Sequence, residues 1–239
     1  MKTIKVIKTL FIFTIFIGVA IYFTKMMIKD HTIQLFGELI YRVETQEKVV
    51  ALTFDDVPKA KRTEKILDIL QQQDIKATFF LNGKQLKKNP VQAKALINSG
   101  HQIANHSYSH KRMVFMSYSE VKEEIESTTK IIRDYGYQGD LHFRPPYGNT
   151  LVNLPRYLAN NSIKTITWDV EPETWGENRA DSQEQVKRAL EKTKPGSIII
   201  THVMHGDEES INAVPIIIEK LKKQGYRFVT IDELLSMKS

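Results

Sequence analysis

From residue 49 onward, short segments with the pattern of buried β-strands alternate with longer segments whose apolar residues recur at helical spacing. This alternation constrains the fold more than any other feature, because successive parallel strands need a crossover connection, usually a helix. The predicted strands are VVALTF (49–54), ATFFL (77–81), HQIA (101–104), LHF (141–143), IKTITW (163–168), SIIIT (197–201) and RFVTI (227–231). About seven parallel strands with helices outside them indicate an α/β fold, either a barrel or a doubly wound sheet.

The helical segments have recognisable ends. Helices are predicted over 63–73, 84–98, 117–135, 151–160, 182–194 and 213–224. Gly100 and Gly225 follow two of them as C-terminal stops, and Ser117 to Glu120 has the form of a capping box. The length of 239 residues suits one large α/β domain, which we place at 48–239.

Residues 1–24 have the layout of an export signal. Three lysines precede the apolar run Leu10–Phe23, which is somewhat shorter than the ~20 residues that comfortably span a bilayer. We predict an uncleaved single-pass anchor in the cell membrane, with the catalytic domain outside the cytoplasm, or a secreted protein if a peptidase cuts near Gly18–Ala20. A buried N-terminal helix is less favoured because the run is apolar on every face. Residues 25–47 are predicted to be a polar stem.

Composition excludes several classes of site. The chain has no cysteine, so disulfides, thiolate nucleophiles and cysteine-bound zinc are excluded, and any metal must be held by histidines and carboxylates. The net charge is +6, but the lysines are scattered and no nucleic-acid motif accompanies them. We therefore predict no nucleic-acid partner.

Polar side chains follow five of the predicted strands at the point where each strand ends. The segments are Asp55-Asp56, Asn105–His110, Arg144–Gly148, Trp168–Trp175 and Thr201–Gly206. Because the carboxyl ends of parallel strands meet at one edge of a sheet or barrel, these groups are expected to face one shared cavity.

Two of these segments together predict a metal site. His106 and His110 are four residues apart on one tight turn, and a carboxylate from the Asp55-Asp56 pair would complete a set that is typical of hydrolytic zinc. One aspartate could then bind the ion while the other acts as a base toward water, with Arg144 offsetting the negative charge. Simpler interpretations are a helix cap for the aspartates, a chance histidine pair and a surface ion pair for Arg144.

The same segments resemble a known family. Thr53–Asp56, Asn105–His110, Arg144–Gly148, Trp168–Trp175 and Ile200–His202 are similar to the five ordered motifs of the polysaccharide deacetylases, the NodB-homology domain of carbohydrate esterase family four. The resemblance covers residues 48–236. It implies a distorted (β/α) barrel that removes acetyl groups from N-acetylated sugars in a metal-dependent hydrolysis.

The resemblance also implies a role for individual residues. Asp55 is implied to be the catalytic base, Arg144 its partner and His202 the general acid. The implied ligands of a divalent ion, usually Zn²⁺, are Asp56, His106 and His110. The implied substrate contacts are the backbone N–H of Tyr147, which would stabilise the oxyanion, and the pocket residues Pro146, Trp175 and Ile200.

Three positions depart from the family pattern. Val57 stands where many members have a glycine, so the turn after the aspartates is expected to run differently. Thr174 occupies the place of an aspartate that would orient His202, which leaves Asp169 or Glu171 as the expected partner. His205 has no matched role and is expected to be structural or to lie at the substrate rim.

The predicted substrate is an N-acetylated polysaccharide outside the cell, in the cell wall of a Gram-positive-type bacterium. Peptidoglycan, a chitin-like oligomer and an exopolysaccharide all fit the residues. One alternative is hydrolysis of O-acetyl esters by the same chemistry. Another is a catalytically weak, glycan-binding member of the fold that has lost acid catalysis through Thr174.

Overall fold

The computed structural model describes residues 2–176, 179–204 and 208–238, without the side chains of 2–10, 12 and 20. Its strands are β1 (Leu39–Ile40), β2 (Val49–Val57), β3 (Thr78–Leu81), β4 (Gln102–Asn105), β5 (Thr165–Ile166), β6 (Ser197–Thr201) and β7 (Arg227–Val229). Its α-helices are α1 (Lys2–Lys29), α2 (Arg62–Gln72), α3 (Gly83–Lys88), α4 (Pro90–Asn98), α5 (Tyr118–Asp134), α6 (Asn153–Asn160), α7 (Ser182–Lys192), α8 (Glu209–Lys223) and α9 (Ile231–Ser236). The predicted α/β alternation is confirmed.

The paired strands are parallel, as predicted. The sheet runs in the order β4-β3-β2-β6, and β7 pairs with the first half of β2. Single bridges extend the pairing from Asn105 of β4 through Phe143 to Thr165 of β5. Val170, beyond β5, pairs with Ile199 of β6, so the pairing returns to its start as a distorted barrel.

Two predicted elements differ in detail. The segment LHF provides two isolated bridges at Phe143, to Asn105 and Thr165, instead of a strand, since prolines follow closely and cannot donate to a ladder. The helix predicted over 84–98 is divided into α3 and α4 at Pro90, which lacks the N–H needed to continue α3. The predicted capping box is confirmed, with reciprocal bonds between Ser117 and Glu120 at the start of α5.

The segment predicted as a polar stem, 25–47, takes part in the barrel. β1 lies in this segment and pairs with β5, and Ile40 and Val43 are buried. A strand of two residues is too short for an alternating pattern to reveal it.

The N-terminal residues form the long helix α1. Among the described residues, no helix combines the length and the apolar character that crossing a membrane requires, so the predicted anchor over 1–24 is not supported.

The two faces of β2 position the site. Val50, Leu52 and Phe54 belong to the core between the sheet and the outer helices, whereas Val49 and Ala51 belong to a separate core inside the barrel. Because side chains alternate along a strand, Asp55 continues the inner face. The Asp55 carboxylate therefore points into the barrel, at the end where the parallel strands finish.

Candidate active site

A fully buried ion pair lies at the end of β2. Arg144 Nη1 donates to Asp55 Oδ1 at 2.7 Å, and the two side chains are 0% and 2% exposed. The guanidinium also donates to the Thr53 hydroxyl and to the carbonyl oxygens of Ile166 and Thr167. Burial lowers the pKa of Arg144 and the charge of Asp55 opposes this shift. The predicted pairing is present, and it holds Asp55 in one orientation.

Beside this pair, Asp56, His106 and His110 form a cluster that could hold a metal ion. Each offers one ligand atom, and these atoms lie within 4.8 Å of one another. Asp56 Oδ1 is 3.3 Å from His110 Nε2 and 4.0 Å from His106 Nε2. Ligands that each bind one ion at ~2.0–2.2 Å have separations of this size. The three residues predicted as ligands therefore come together.

The tautomer of His106 suits a ligand. Its Nδ1 lies 2.8 Å from the backbone oxygen of Arg144, in a buried position. A carbonyl oxygen only accepts, so Nδ1 carries the proton and the lone pair is on Nε2, which lies 3.5 Å from Asp55 Oδ2 and 4.0 Å from Asp56 Oδ1. Metal-binding histidines are commonly oriented by such a bond.

Residues with positive φ cluster around the site. Asp56 has φ 61°, Ser107 62°, His110 59° and Tyr147 61°. This conformation is uncommon for residues with a Cβ and concentrates at functional sites. Asp56 itself takes the left-handed conformation, while Val57 stays at the end of β2. The valine in place of glycine is therefore accommodated, because the positive φ falls one residue earlier.

The carboxylate that contacts His202 is Glu173. Its Oε2 is 3.6 Å from His202 Nδ1, and its Oε1 accepts from the His202 backbone N–H at 2.7 Å. Burial by itself lowers the pKa of His202, but the adjacent charge of Glu173, together with those of Asp55 and Asp56, raises it to about 9. The imidazole is therefore protonated at neutral pH, as a general acid must be.

The two carboxylates predicted to orient His202 have other partners. Asp169 accepts from the Ser197 hydroxyl and the Ile198 N–H, both at 2.8 Å. Glu171 accepts from the indole N–H groups of Trp168 at 3.2 Å and Trp175 at 2.9 Å. After the bridge at Val170 the chain leaves the sheet, so its side chains no longer alternate between the two faces. The path of this loop brings Glu173 to His202.

Thr174 occupies the position where the family pattern has an aspartate. Its hydroxyl accepts from the Ala180 N–H at 2.7 Å, within the loop that leads to α7. The carboxylate that contacts His202 thus stands one residue earlier in the chain than the family pattern has it.

A cavity of about 620 Å³ opens over these groups. It is lined by His31, Asp55, Asp56, His106, His110, Tyr147, Trp168, Glu171, Trp175 and His202. Pro146 and Ile200, both predicted to line the substrate pocket, are buried and are not among the lining residues. Their contribution to substrate binding stays a prediction.

Two half-exposed aromatic rings border the cavity. Trp175 meets the His202 ring edge to face at 4.9 Å, and Tyr147 meets His110 at the same distance. The guanidinium of Arg112 lies 4.3 Å from the centre of the Tyr147 ring. Large rings that are supported from behind and open in front offer flat apolar surface to a ligand.

Sequence reasoning missed Glu173 and His31. A signal for Glu173 was present, since it is a carboxylate in the same loop as Trp175. No signal marked His31, which follows α1 in the predicted stem. His205, expected to be structural or at the rim, lies outside the described residues.

Comparison with known proteins places the chain among deacetylases. The family model for polysaccharide deacetylase matches residues 42–166. A peptidoglycan-N-acetylglucosamine deacetylase of Bacillus cereus is 36% identical over 187 residues, which are 77% of this chain and 67% of the relative.

Two solved structures resemble the fold closely. A peptidoglycan N-acetylglucosamine deacetylase has a TM-score of 0.76 at 32% identity, covering 82% of this chain and 92% of its own. A CE4 family pseudoenzyme from Bacillus anthracis has a TM-score of 0.77 at 31% identity, covering 84% of this chain and 70% of its own. The neighbours thus include both a deacetylase and a pseudoenzyme.

Proposed function

Because this chain belongs to the polysaccharide deacetylase family, we propose that it hydrolyses N-acetyl groups of a cell-wall polysaccharide and releases acetate. One observation carries the proposal: the Asp55–Arg144 pair lies beside the Asp56, His106 and His110 cluster, and His202 lines the same cavity. This arrangement supplies a base, an ion site and an acid. The N-acetylglucosamine residues of peptidoglycan are the proposed substrate, because similar proteins are peptidoglycan-N-acetylglucosamine deacetylases.

The histidine–aspartate cluster fits a divalent ion, and we propose Zn²⁺. Two imidazoles and one carboxylate suit zinc and leave positions open for substrate. A divalent ion held there would polarise the amide carbonyl and make a water molecule more acidic.

The side chains then divide the reaction between them. Asp55, oriented by Arg144, accepts a proton from the attacking water as its oxygen bonds to the acetyl carbon. The backbone N–H of Tyr147 donates to the developing oxyanion, a contribution of ~3 kcal/mol for one such donor. As the carbon–nitrogen bond breaks, His202 gives its proton to the departing amine. The products are acetate and a free amino sugar.

The Glu173→Gln variant is expected to shift the alkaline limb of the pH profile. The protonated form of His202 is the active one, so kcat/KM falls as pH rises through the pKa of that histidine. A cation held by the cluster would offset the rise that Asp55 and Asp56 cause in the pKa of His202. The alkaline limb is therefore expected at or below about pH 9. Glutamine removes the charge that raises this pKa, so the limb moves to lower pH by ~1–2 units.

The shift is measured from kcat/KM between about pH 6 and pH 10 and from the His202 resonance in NMR. Glu171→Gln is the matched control, because it removes a carboxylate of the same cavity that contacts the indoles instead of His202. An unmoved limb in Glu173→Gln would contradict the assignment of Glu173.

The proposed activity is tested by acetate release from peptidoglycan and from oligomers of N-acetylglucosamine, with Zn²⁺ added to the full chain. We expect acetate together with free amino groups on the sugar. Release from O-acetylated glycan alone would instead support an esterase.

A second candidate, a glycan-binding protein without catalysis, is favoured by the likeness to the pseudoenzyme. A mutant of that pseudoenzyme has restored enzymatic activity. In the present chain Asp55, Arg144 and His202 are all in place, which supports catalysis. Metal and glycan binding with no acetate from any substrate would establish the second candidate.

Location stays a proposal from the sequence. Three lysines ahead of the apolar run Leu10–Phe23 favour export, and a cell-wall substrate requires a position outside the cytoplasm. We therefore propose only that the protein acts outside the cytoplasm.

A further inference from the structure

His31 reaches the cavity from outside all five motifs. It comes two residues after the end of α1, in the segment predicted as a stem, and it lines the cavity together with the catalytic residues. Its imidazole stacks on the Trp168 indole, with ring centres 4.7 Å apart and planes inclined by 15°. One face of the histidine is thus fixed against the cavity wall.

The segment that carries His31 is tied to the turn at Tyr147. The Asn149 side chain donates to the Ile28 carbonyl at 2.8 Å, near the end of α1. A Cβ on Gly148 would lie 2.9 Å from the His31 Cβ and 3.0 Å from the Trp168 ring. Glycine at this position therefore leaves the space in which the histidine packs.

The turn that contains His31 is also locally defined. Asp30 Oδ1 accepts from the Thr32 backbone N–H at 2.8 Å and from the Thr32 hydroxyl at 2.6 Å. These bonds define the backbone on both sides of His31, and the stack on Trp168 holds its ring before any ligand arrives. A group fixed in this way costs little further conformational entropy on binding.

We propose that His31 and Trp168 form a stacked platform that binds a sugar ring of the polysaccharide beside the one being deacetylated. This proposal rests on the proposed function for the choice of ligand. His31 lies outside the ion cluster and the Asp55–Arg144 pair. Its proposed role is to position the polysaccharide, not to act on the reacting atoms. A sugar ring has flat C–H faces, and a planar imidazole supported from behind by an indole matches such a face.

The test measures glycan affinity through tryptophan fluorescence. The chain has 2 tryptophans, and Trp168 and Trp175 both line the cavity, so quenching reports its occupancy. The probe is the tetramer of β-1,4-linked N-acetylglucosamine, titrated into the full chain carrying Asp55→Asn, with and without His31→Ala. We expect His31→Ala to raise Kd about fivefold, as loss of one ring contact would.

Two variants show whether the planar ring of His31 is what binds the sugar. His31→Phe keeps a planar ring and is expected to restore the original Kd, whereas a Kd equal to that of His31→Ala would overturn the platform. Phe115→Ala, which removes a ring that is 79% exposed and does not line the cavity, should leave Kd unchanged. An unchanged Kd in His31→Ala also overturns the proposal.

Kinetics distinguish this proposal from the proposed function. In the active chain His31→Ala should raise KM for the tetramer by the same factor as Kd and leave kcat unchanged. A fall in kcat with unchanged KM would overturn the positioning role. If the unsubstituted chain releases no acetate, the proposed function fails, while the fluorescence titration still decides whether His31 binds glycan.

Discussion

Asp55→Asn is expected to lower kcat for acetate release by ~10²–10⁴-fold, the usual contribution of a general base. Asparagine has the same shape and keeps an oxygen that can accept from Arg144, but it cannot take a proton from water. Acetate release under saturating substrate measures the loss. Asp68→Asn, which changes an exposed aspartate on α2, should retain full activity.

Asp55→Asn is also expected to lower the free energy of unfolding. Arg144 is fully buried, and removal of its counter-charge costs about 3 kcal/mol of unfolding free energy. Arg144→Met leaves the opposite charge unpaired and should cost a similar amount. The double variant removes both charges, so its destabilisation should be well below the sum of the two. Urea denaturation measures all three, and full additivity would show that the pair is not coupled.

His106→Ala is expected to abolish most of the stabilisation by metal. An ion that binds only the folded chain adds ~2.7 kcal/mol when its concentration is about 100 times Kd. For a domain of this size the gain corresponds to a rise in Tm of about 5–10 °C. The original chain should show this rise with Zn²⁺ and lose it with a chelator. His106→Ala should show little change with either, because two ligands remain.

The matched control for this measurement is Glu171→Gln. Glu171 lines the same cavity but contacts the indoles, so its variant should keep the full rise in Tm. A full rise in His106→Ala would place the ion elsewhere. An equal loss in both variants would indicate general damage to the cavity.

Several parts of the molecule follow from local patterns. Alternation of strand and helix predicts the parallel sheet, because the spacing of apolar residues within each segment indicates an extended or a helical backbone. The aspartates of β2, the histidine pair and Arg144 were predicted to converge since each directly follows a strand. The structure brings the aspartates and both histidines to the wall of one cavity, with Arg144 buried directly behind Asp55.

Other parts depend on contacts between distant segments. Leu39–Ile40 becomes a strand only because β5 lies beside it, and Phe143 links β4 to β5 through one bridge on each side. Neither segment carries enough residues for a periodic pattern. The splitting of the predicted helix at Pro90, by contrast, could have been read from the sequence.

The sequence by itself determined the α/β fold class and the residue types that meet at the candidate site, because residue type and position after a strand are local properties. Only the tertiary structure decided that Glu173, and neither Asp169 nor Glu171, lies against His202. Only the tertiary structure brought His31 to the cavity wall. The physical reason is shared: both contacts depend on the path of a loop through space, and that path is set by packing against segments far away in the chain.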